Sequence, residues 1–157
     1  MQRCDVKVLV ISISNPILIG LYKKNKLIKT LSKEGKTSDV LPLIFEDILK
    51  SYNVIEMFYA NGPGSYMAIK IGYLFLKTIS IINRIKLHGV SAFDLNNNSP
   101  IKALGKKYFF RIIEKDRETI TMKFLENEEV NFFSLPQTID NLKCNKNSLP
   151  EYNLPAV

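Results

Sequence analysis

The chain has a single histidine, His88, and two cysteines, Cys4 and Cys144, among its 157 residues. One imidazole cannot form a histidine pair, so metal centres and proton relays built on two histidines are excluded, and many hydrolase designs with them. The two cysteines lie far apart with no ligand-like spacing. Two free thiols in a reducing compartment are therefore expected, with a disulfide as the alternative. No charged region followed by an apolar core and a small-residue cleavage site opens the sequence, so no signal peptide is expected and the cytoplasm is the expected location. Internal repeats and low-complexity tracts are also missing. The apolar fraction of 46% suits a folded globule, and the length suits one ordinary domain or two small lobes sharing a core.

The net charge of +7 is unevenly placed: residues 1–95 carry 13 Lys/Arg against 7 Asp/Glu, residues 96–157 carry 9 against 8. Lys23, Lys24, Lys26, Lys29, Lys33 and Lys36 crowd the rim of an N-terminal hairpin. Such a rim attracts nucleic-acid phosphates non-specifically; equally, lysines on an edge strand keep it soluble and block edge pairing.

Val6 to Ile13 is a nearly continuous Val/Ile-rich run, which predicts a buried central strand. Asn15-Pro16 turns it, and Ile17–Tyr22 and Leu27–Leu31 flank Lys23-Lys24-Asn25-Lys26 as a hairpin. Thr37, Ser38 and Asp39 offer N-caps for a helix reaching about Tyr52, with Pro42 placed in its first turn where N–H groups lack acceptors. Its apolar face combines Leu41, Ile44, Phe45 and Ile48; Leu43, Glu46, Asp47 and Lys50 lie opposite. A strand over Ile55–Ala60 follows, then a glycine turn and a helix from Tyr66 to about Asn83. That second helix is apolar on nearly every side, with Lys70 and Lys77 its only charges. It is slightly short for a membrane span and carries those lysines mid-segment, so it calls for burial on two fronts within protein. Leu87–Val90 predicts a short strand and Ser91 a cap for a brief helix. The polar cluster Asn96-Asn97-Asn98-Ser99-Pro100 marks a boundary. Beyond it, Lys107–Ile113, Thr119–Phe124 and Val130–Phe133 read as strands, and the stretch after Asn141, with Pro150 and Pro155, as an irregular tail.

The strand–turn–helix around Asn61-Gly62-Pro63-Gly64-Ser65 carries the most information. Gly62 and Gly64 permit backbone angles closed to other residues, Pro63 stiffens the turn, and Ser65 is a natural N-cap. A helix start of this kind can hold an anion, but the spacing is not that of a Walker A loop and no Gly-Lys-Ser/Thr follows. A tight connection is the plain alternative.

The run Gly62-Pro63-Gly64-Ser65-Tyr66-Met67-Ala68-Ile69-Lys70-Ile71-Gly72 resembles the G-P-G-S-[FY]-T-G-x-R-I-G signature of the TsaB family, also called YeaZ. Lys70 stands for the arginine, and Met67-Ala68 replaces Thr-Gly. Thr37–Ile44, with its Leu41-Pro42 pair, and His88-Gly89-Val90-Ser91 resemble two further family segments, and Ala103–Arg111 is a fainter echo of a third. The resemblance spans residues 6 to about 112 and is specific around 60–72. It implies an α/β fold: a ribonuclease-H-like half of the actin/Hsp70/sugar-kinase (ASKHA) superfold with a curtailed second lobe. Residues 1–98 would form the N-terminal lobe (βββαβαβ), 99–140 a reduced second lobe of strands, and 141–157 the tail. By itself the order of elements supports this as an analogy only.

The family's role, as the resemblance implies it, is that of a subunit of the machinery making N6-threonylcarbamoyladenosine (t6A37) in tRNA. TsaB pairs there with the catalytic TsaD through N-lobe helices, TsaE joins as an ATPase, and tRNA is engaged indirectly. Relatives end their first strand in Asp-Thr-Ser, where ATP-using members keep a metal-coordinating acid; here Ser12-Ile13-Ser14 stands, and a hydroxyl cannot supply that charge. The expectation is a non-catalytic scaffold with no catalytic residue, cofactor or metal. Leu43, Asp47, Met67, Lys70, Tyr73 and Lys77 are its candidate interface residues, and Gly62, Pro63, Gly64, Ser65 and Gly72 its signature turn. An apolar interface of this kind also makes a homodimer plausible for the isolated chain. Two alternatives remain: a small ATPase or kinase using Gly62–Ser65 as a phosphate loop, and a tRNA-binding module using the lysine-rich hairpin.

Overall fold

Val6, Val8 and Val10 point to one side of the first strand and Leu9 and Ile11 to the other, and all five are buried. Period-2 geometry thus explains why this run is apolar at every position but Lys7: the strand has a core on each face. In the computed structural model of the protein, which describes residues 2–153, this strand is β1 (Cys4–Ile11) at the centre of a five-stranded sheet. β2 (Ile17–Lys23) and β3 (Lys26–Lys33) follow as an antiparallel meander. The hairpin closes through Lys24 and Asn25, both at positive φ (47° and 64°), as a two-residue primed turn requires. β4 (Tyr52–Ala60) and β5 (Lys86–Val90) add on the other side of β1 as parallel strands, giving the order β3-β2-β1-β4-β5.

Two helices supply the crossovers and cover one face. α1 (Thr37–Ser51) buries Val40, Leu41, Phe45 and Ile48. Its N-cap is Lys36, which makes no side-chain cap bond, rather than Thr37, Ser38 or Asp39. Thr37 turns inward and is buried. Pro42 consequently lies beyond the first turn. It is tolerated because Ser38, whose carbonyl loses its donor, is exposed to water. α2 (Tyr66–Asn83) begins and ends as its sequence predicts. Ser65 Oγ accepts from Ala68 N at 3.5 Å, and Arg84 in the left-handed region (φ 55°) closes the other end. The helices lie side by side, with Phe45 and Phe75 edge-to-face at 5.4 Å.

A 3-10 turn (Ala92–Leu95) leads to a second sheet of β6 (Ile101–Lys102), β7 (Lys107–Glu114) and β8 (Arg117–Phe124), antiparallel throughout. Arg111 ties this sheet to the turn: its guanidinium sits 5.3 Å from the Phe93 ring and 2.9 Å from Asp94 Oδ1. Val130–Phe133 is not a strand. The Ser99 hydroxyl takes up its backbone instead, accepting from Asn131 N at 2.7 Å and donating to Glu129 O at 2.9 Å.

The segment after Phe133 has no regular structure through Asn153, yet it runs across the open face of the main sheet; Pro155 lies outside the described residues. Backbone bonds join Leu27 N to Gln137 O, Ile139 N to Asn25 O, Asn145 N to Gly89 O and Glu151 N to Asn61 O, all at 2.8–3.0 Å. Phe133, Leu135, Ile139 and Leu142 thereby close the core formed by Leu9, Ile11, Phe58 and Val90. This strap covers the face opposite the helices.

Candidate functional site: the glycine turn, the cleft and the helical face

β1 and β4 end side by side, and the glycine turn rises from the end of β4. Asn61, fully buried, bonds the strap through Nδ2 to Leu149 O at 3.0 Å, and its backbone N–H donates to Val90 O at 3.0 Å. Gly62 has φ +129° and accepts from Ala92 N at 2.9 Å. A side chain there would run into the Glu151 carbonyl. Gly64 packs on Ile13, and Gly62, Pro63 and Gly64 are all buried. The strap therefore fills the Gly62 side of the turn, while Gly64 and Ser65 border the cleft.

Gly72 serves a different contact. A Cβ on it would lie 2.7 Å from Ser12 Oγ, so glycine lets α2 settle on the end of β1. Ser12 is buried there, at the place where the family resemblance leads one to expect an acid. Between this end of the main sheet and the second sheet lies a cleft of about 850 Å³, lined chiefly by apolar side chains such as Ile13, Met67, Ile101, Leu104 and Phe133. Lys102 is its one charged lining residue among those described.

The six interface candidates are distributed over the two adjacent helices. Leu43 and Asp47 lie on α1, both exposed; Asp47 flanks a groove toward Lys29 and Leu31, away from α2. Lys70 and Tyr73 lie on the strap side of α2, where Tyr66 packs on Tyr152 at 4.5 Å between centroids. Lys70 Nζ is 6.0 Å from the Tyr66 ring, and Tyr73 is half-buried, 6.0 Å from Tyr59. Lys77, one turn beyond Tyr73, is partly covered. Met67, three residues before Lys70 and beside it on the helix surface, begins an exposed stripe. There Met67, Leu74, Ile81 and Ile82 are 53–70% exposed, beside a groove formed by Ile71, Leu74, Thr78 and Pro42. The all-round apolarity of α2 is thus satisfied on one front by the sheet, at Ile69, Gly72 and Leu76, and left open on another.

Sequence reasoning missed the polar group under the strap. Glu56 receives His88 Nε2 at 2.7 Å and Lys7 Nζ at 3.3 Å, while the imidazole stacks on Phe58 at 4.9 Å. Burial pushes the Glu56 carboxyl upward, but the hydrogen bonds and charges of His88 and Lys7 outweigh it and hold the group below the ordinary carboxylate range. The nearby Cys144 thiol is pushed up, by burial and then by Glu56, which disfavours the thiolate. The sequence carried no signal for it, because Lys7 and Glu56 meet only through the pairing of β1 with β4.

No protein-family model matches the sequence, and no curated protein does. Solved structures do match. YeaZ from Pseudomonas aeruginosa superposes with a TM-score of 0.59 at 10% identity, over 81% of this chain and 67% of that one. The fold is that of YeaZ. A second crystal structure, of an uncharacterized protein with similarity to peptidase YEAZ from Pseudomonas aeruginosa, gives a TM-score of 0.58 at 10% identity, over 82% and 70%. The YeaZ fold and the resemblance read from Gly62–Gly72 agree, from coordinates and from sequence. No helix among the described residues is long and apolar enough to cross a membrane.

Proposed function

We propose that this chain is a non-catalytic, TsaB-type scaffold subunit in tRNA t6A37 synthesis, and that it holds a TsaD-type catalytic subunit against its helical layer. The carrying observation is the uncovered stripe Met67–Leu74–Ile81–Ile82 on a helix of a YeaZ-like fold. Contiguous apolar surface of this kind is rare on a monomer without a partner. The order β3-β2-β1-β4-β5, antiparallel then parallel about a central β1, is what a ribonuclease-H-like half of the ASKHA superfold would have, and it supports the same reading. The partner meets α2 at Met67 and Leu74 and reaches Leu43 on α1. Tyr73 contributes by holding α2 to Tyr59. TsaE joins through TsaD, tRNA is engaged by the assembly, and the setting is cytoplasmic.

The test is co-purification with TsaD from the same cell, followed by tRNA-modifying activity of the pair. Leu74→Glu and Met67→Glu, both at exposed positions, are expected to abolish the complex while leaving the thermal transition of the isolated chain unchanged. Retention of the complex by both variants rejects this placement. Tyr73→Glu is a poor probe, because it strikes packing inside the chain. An ATPase or kinase reading is opposed by the filled surroundings of Gly62 and by the absence of any carboxylate among the described cleft-lining residues. Tight Mg-ATP binding by the isolated chain in a calorimeter would restore it.

A further inference from the structure

One face of the second sheet, apart from the edge that borders the cleft, lies outside the core clusters of the described residues. Strand alternation divides it cleanly. Ile101, Phe109 and Met122 form one row and face the core with Phe93. The next row, on the opposite face, is Lys102–Tyr108–Lys123, a tyrosine between two lysines across three strands. Phe110–Thr121 and Ile112–Thr119 continue that face along β7 and β8. Lys123 Nζ stands 4.5 Å from the centre of the Phe110 ring. Phe132, 95% exposed, lines the cleft together with Lys102 and Tyr108.

We propose that this face, with Tyr108, Phe110 and Phe132 as stacking surfaces and Lys102 and Lys123 as phosphate partners, binds single-stranded RNA. Half-exposed aromatic rings on an antiparallel sheet accept unstacked bases, with Lys123 leaving the Phe110 ring to meet a phosphate as the base arrives. Charge complementarity selects a polyanion. Residues 101–124 hold seven Lys/Arg against three Asp/Glu. Of those acids, Glu118 lies on the core-side rows near Arg111 and Glu114 sits at the far end of β7, paired with Arg117. The aromatic rings argue for nucleic acid over an acidic peptide, which needs only the charge. This surface meets the helical stripe only at the cleft, where Met67 lies with Lys102, Tyr108 and Phe132; it is separate from the lysine-rich hairpin, and the proposal does not depend on the scaffold reading.

The experiment is fluorescence anisotropy of a labelled oligouridylate of about ten nucleotides with the full chain, at low and at physiological salt. Saturable binding is expected, weakened about tenfold or more by Tyr108→Ala or Phe110→Ala, the range seen for loss of one stacked base. Lys102→Ala and Lys123→Ala, both exposed, are expected to flatten the salt dependence by roughly one phosphate contact each, a readout that altered folding does not produce. Thermal melts identify any variant that fails to fold, and the two lysine variants carry the test in that case. Three results overturn the proposal: no binding by the wild type, binding lost in Lys29→Glu and Lys33→Glu but kept in the β6–β8 variants, or displacement of the RNA by an oligoglutamate at equal charge concentration.

Discussion

The carbonyl oxygen of Glu151 occupies the space in which Gly62 would carry a side chain, while the Glu151 N–H bonds the Asn61 carbonyl at 2.8 Å. The end of the strap and the glycine turn are therefore one unit. The sequence signature Gly-Pro-Gly-Ser has two separable duties here: Ser65 starts α2, and Gly62 makes room for a distant segment of the chain.

Gly62→Ala meets both a backbone angle unfavourable to L-residues (φ +129°) and the Glu151 carbonyl. Urea unfolding is expected to show a loss of about 2–3 kcal/mol. Proteolysis should cut the strap earlier in the variant than in the wild type. A loss under about 0.5 kcal/mol, within the range of an ordinary surface substitution, would show that the strap does not press on the turn.

Two tyrosines clamp the strap by donating to its carbonyls: Tyr22 to Pro136 at 2.7 Å, and Tyr59 to Ser148. Burial drives both phenols to higher pKa, with Tyr73, Tyr152 and Glu151 adding to the effect at Tyr59. A group raised on folding contributes stability that is complete below its unfolded pKa, about 10 for tyrosine, and is lost as pH rises beyond it. Alkaline absorbance titration is expected to show two of the seven tyrosines ionising only as the chain unfolds. Tyr59→Phe should cost about 1 kcal/mol at neutral pH and reduce the late absorbance change from two tyrosines to one.

Glu56 gives the opposite limb. Its carboxyl is held low by His88 and Lys7 against the upward push of burial. Stability from a lowered carboxyl is present above the unfolded value, about 4.3, and is lost as pH falls through the folded one. The thermal midpoint of the wild type should therefore fall more steeply below about pH 4 than that of Glu56→Gln. Parallel acid limbs for the two proteins would mean that the Glu56 contacts do not form in solution.

What could be read from the sequence was local or periodic. The span of α2 and its Ser65 cap follow from strand–glycine–helix grammar, and the apolar run of β1, broken only at Lys7, follows from burial on both faces. The strap was not legible, because its anchors are main-chain carbonyls of Pro136, Ser148 and Leu149, which any residue supplies. Val130–Phe133 has the composition of a strand, but a single hydroxyl at Ser99 captures its backbone. At the candidate interface, helical spacing could rank Tyr73 and Leu74 alike as apolar members of α2. Only the packing of Tyr59 under Tyr73 separates them.

Leu74 and Leu76 make that separation measurable. They stand two residues apart on α2, one 53% exposed and the other fully buried against the sheet. Exposed substitutions away from special features change stability by about 0.5 kcal/mol or less, whereas an unpaired charge in a core is among the largest single losses. Leu74→Glu is therefore expected to leave the urea midpoint of the isolated chain in place, and Leu76→Glu to prevent cooperative folding, as followed by circular dichroism. If Leu74→Glu instead lowers the midpoint in proportion to protein concentration, the wild-type stripe is already covered by a second copy, and the loss reports a broken dimer. Unchanged stability at every concentration places the stripe in open solvent, free to meet a different chain.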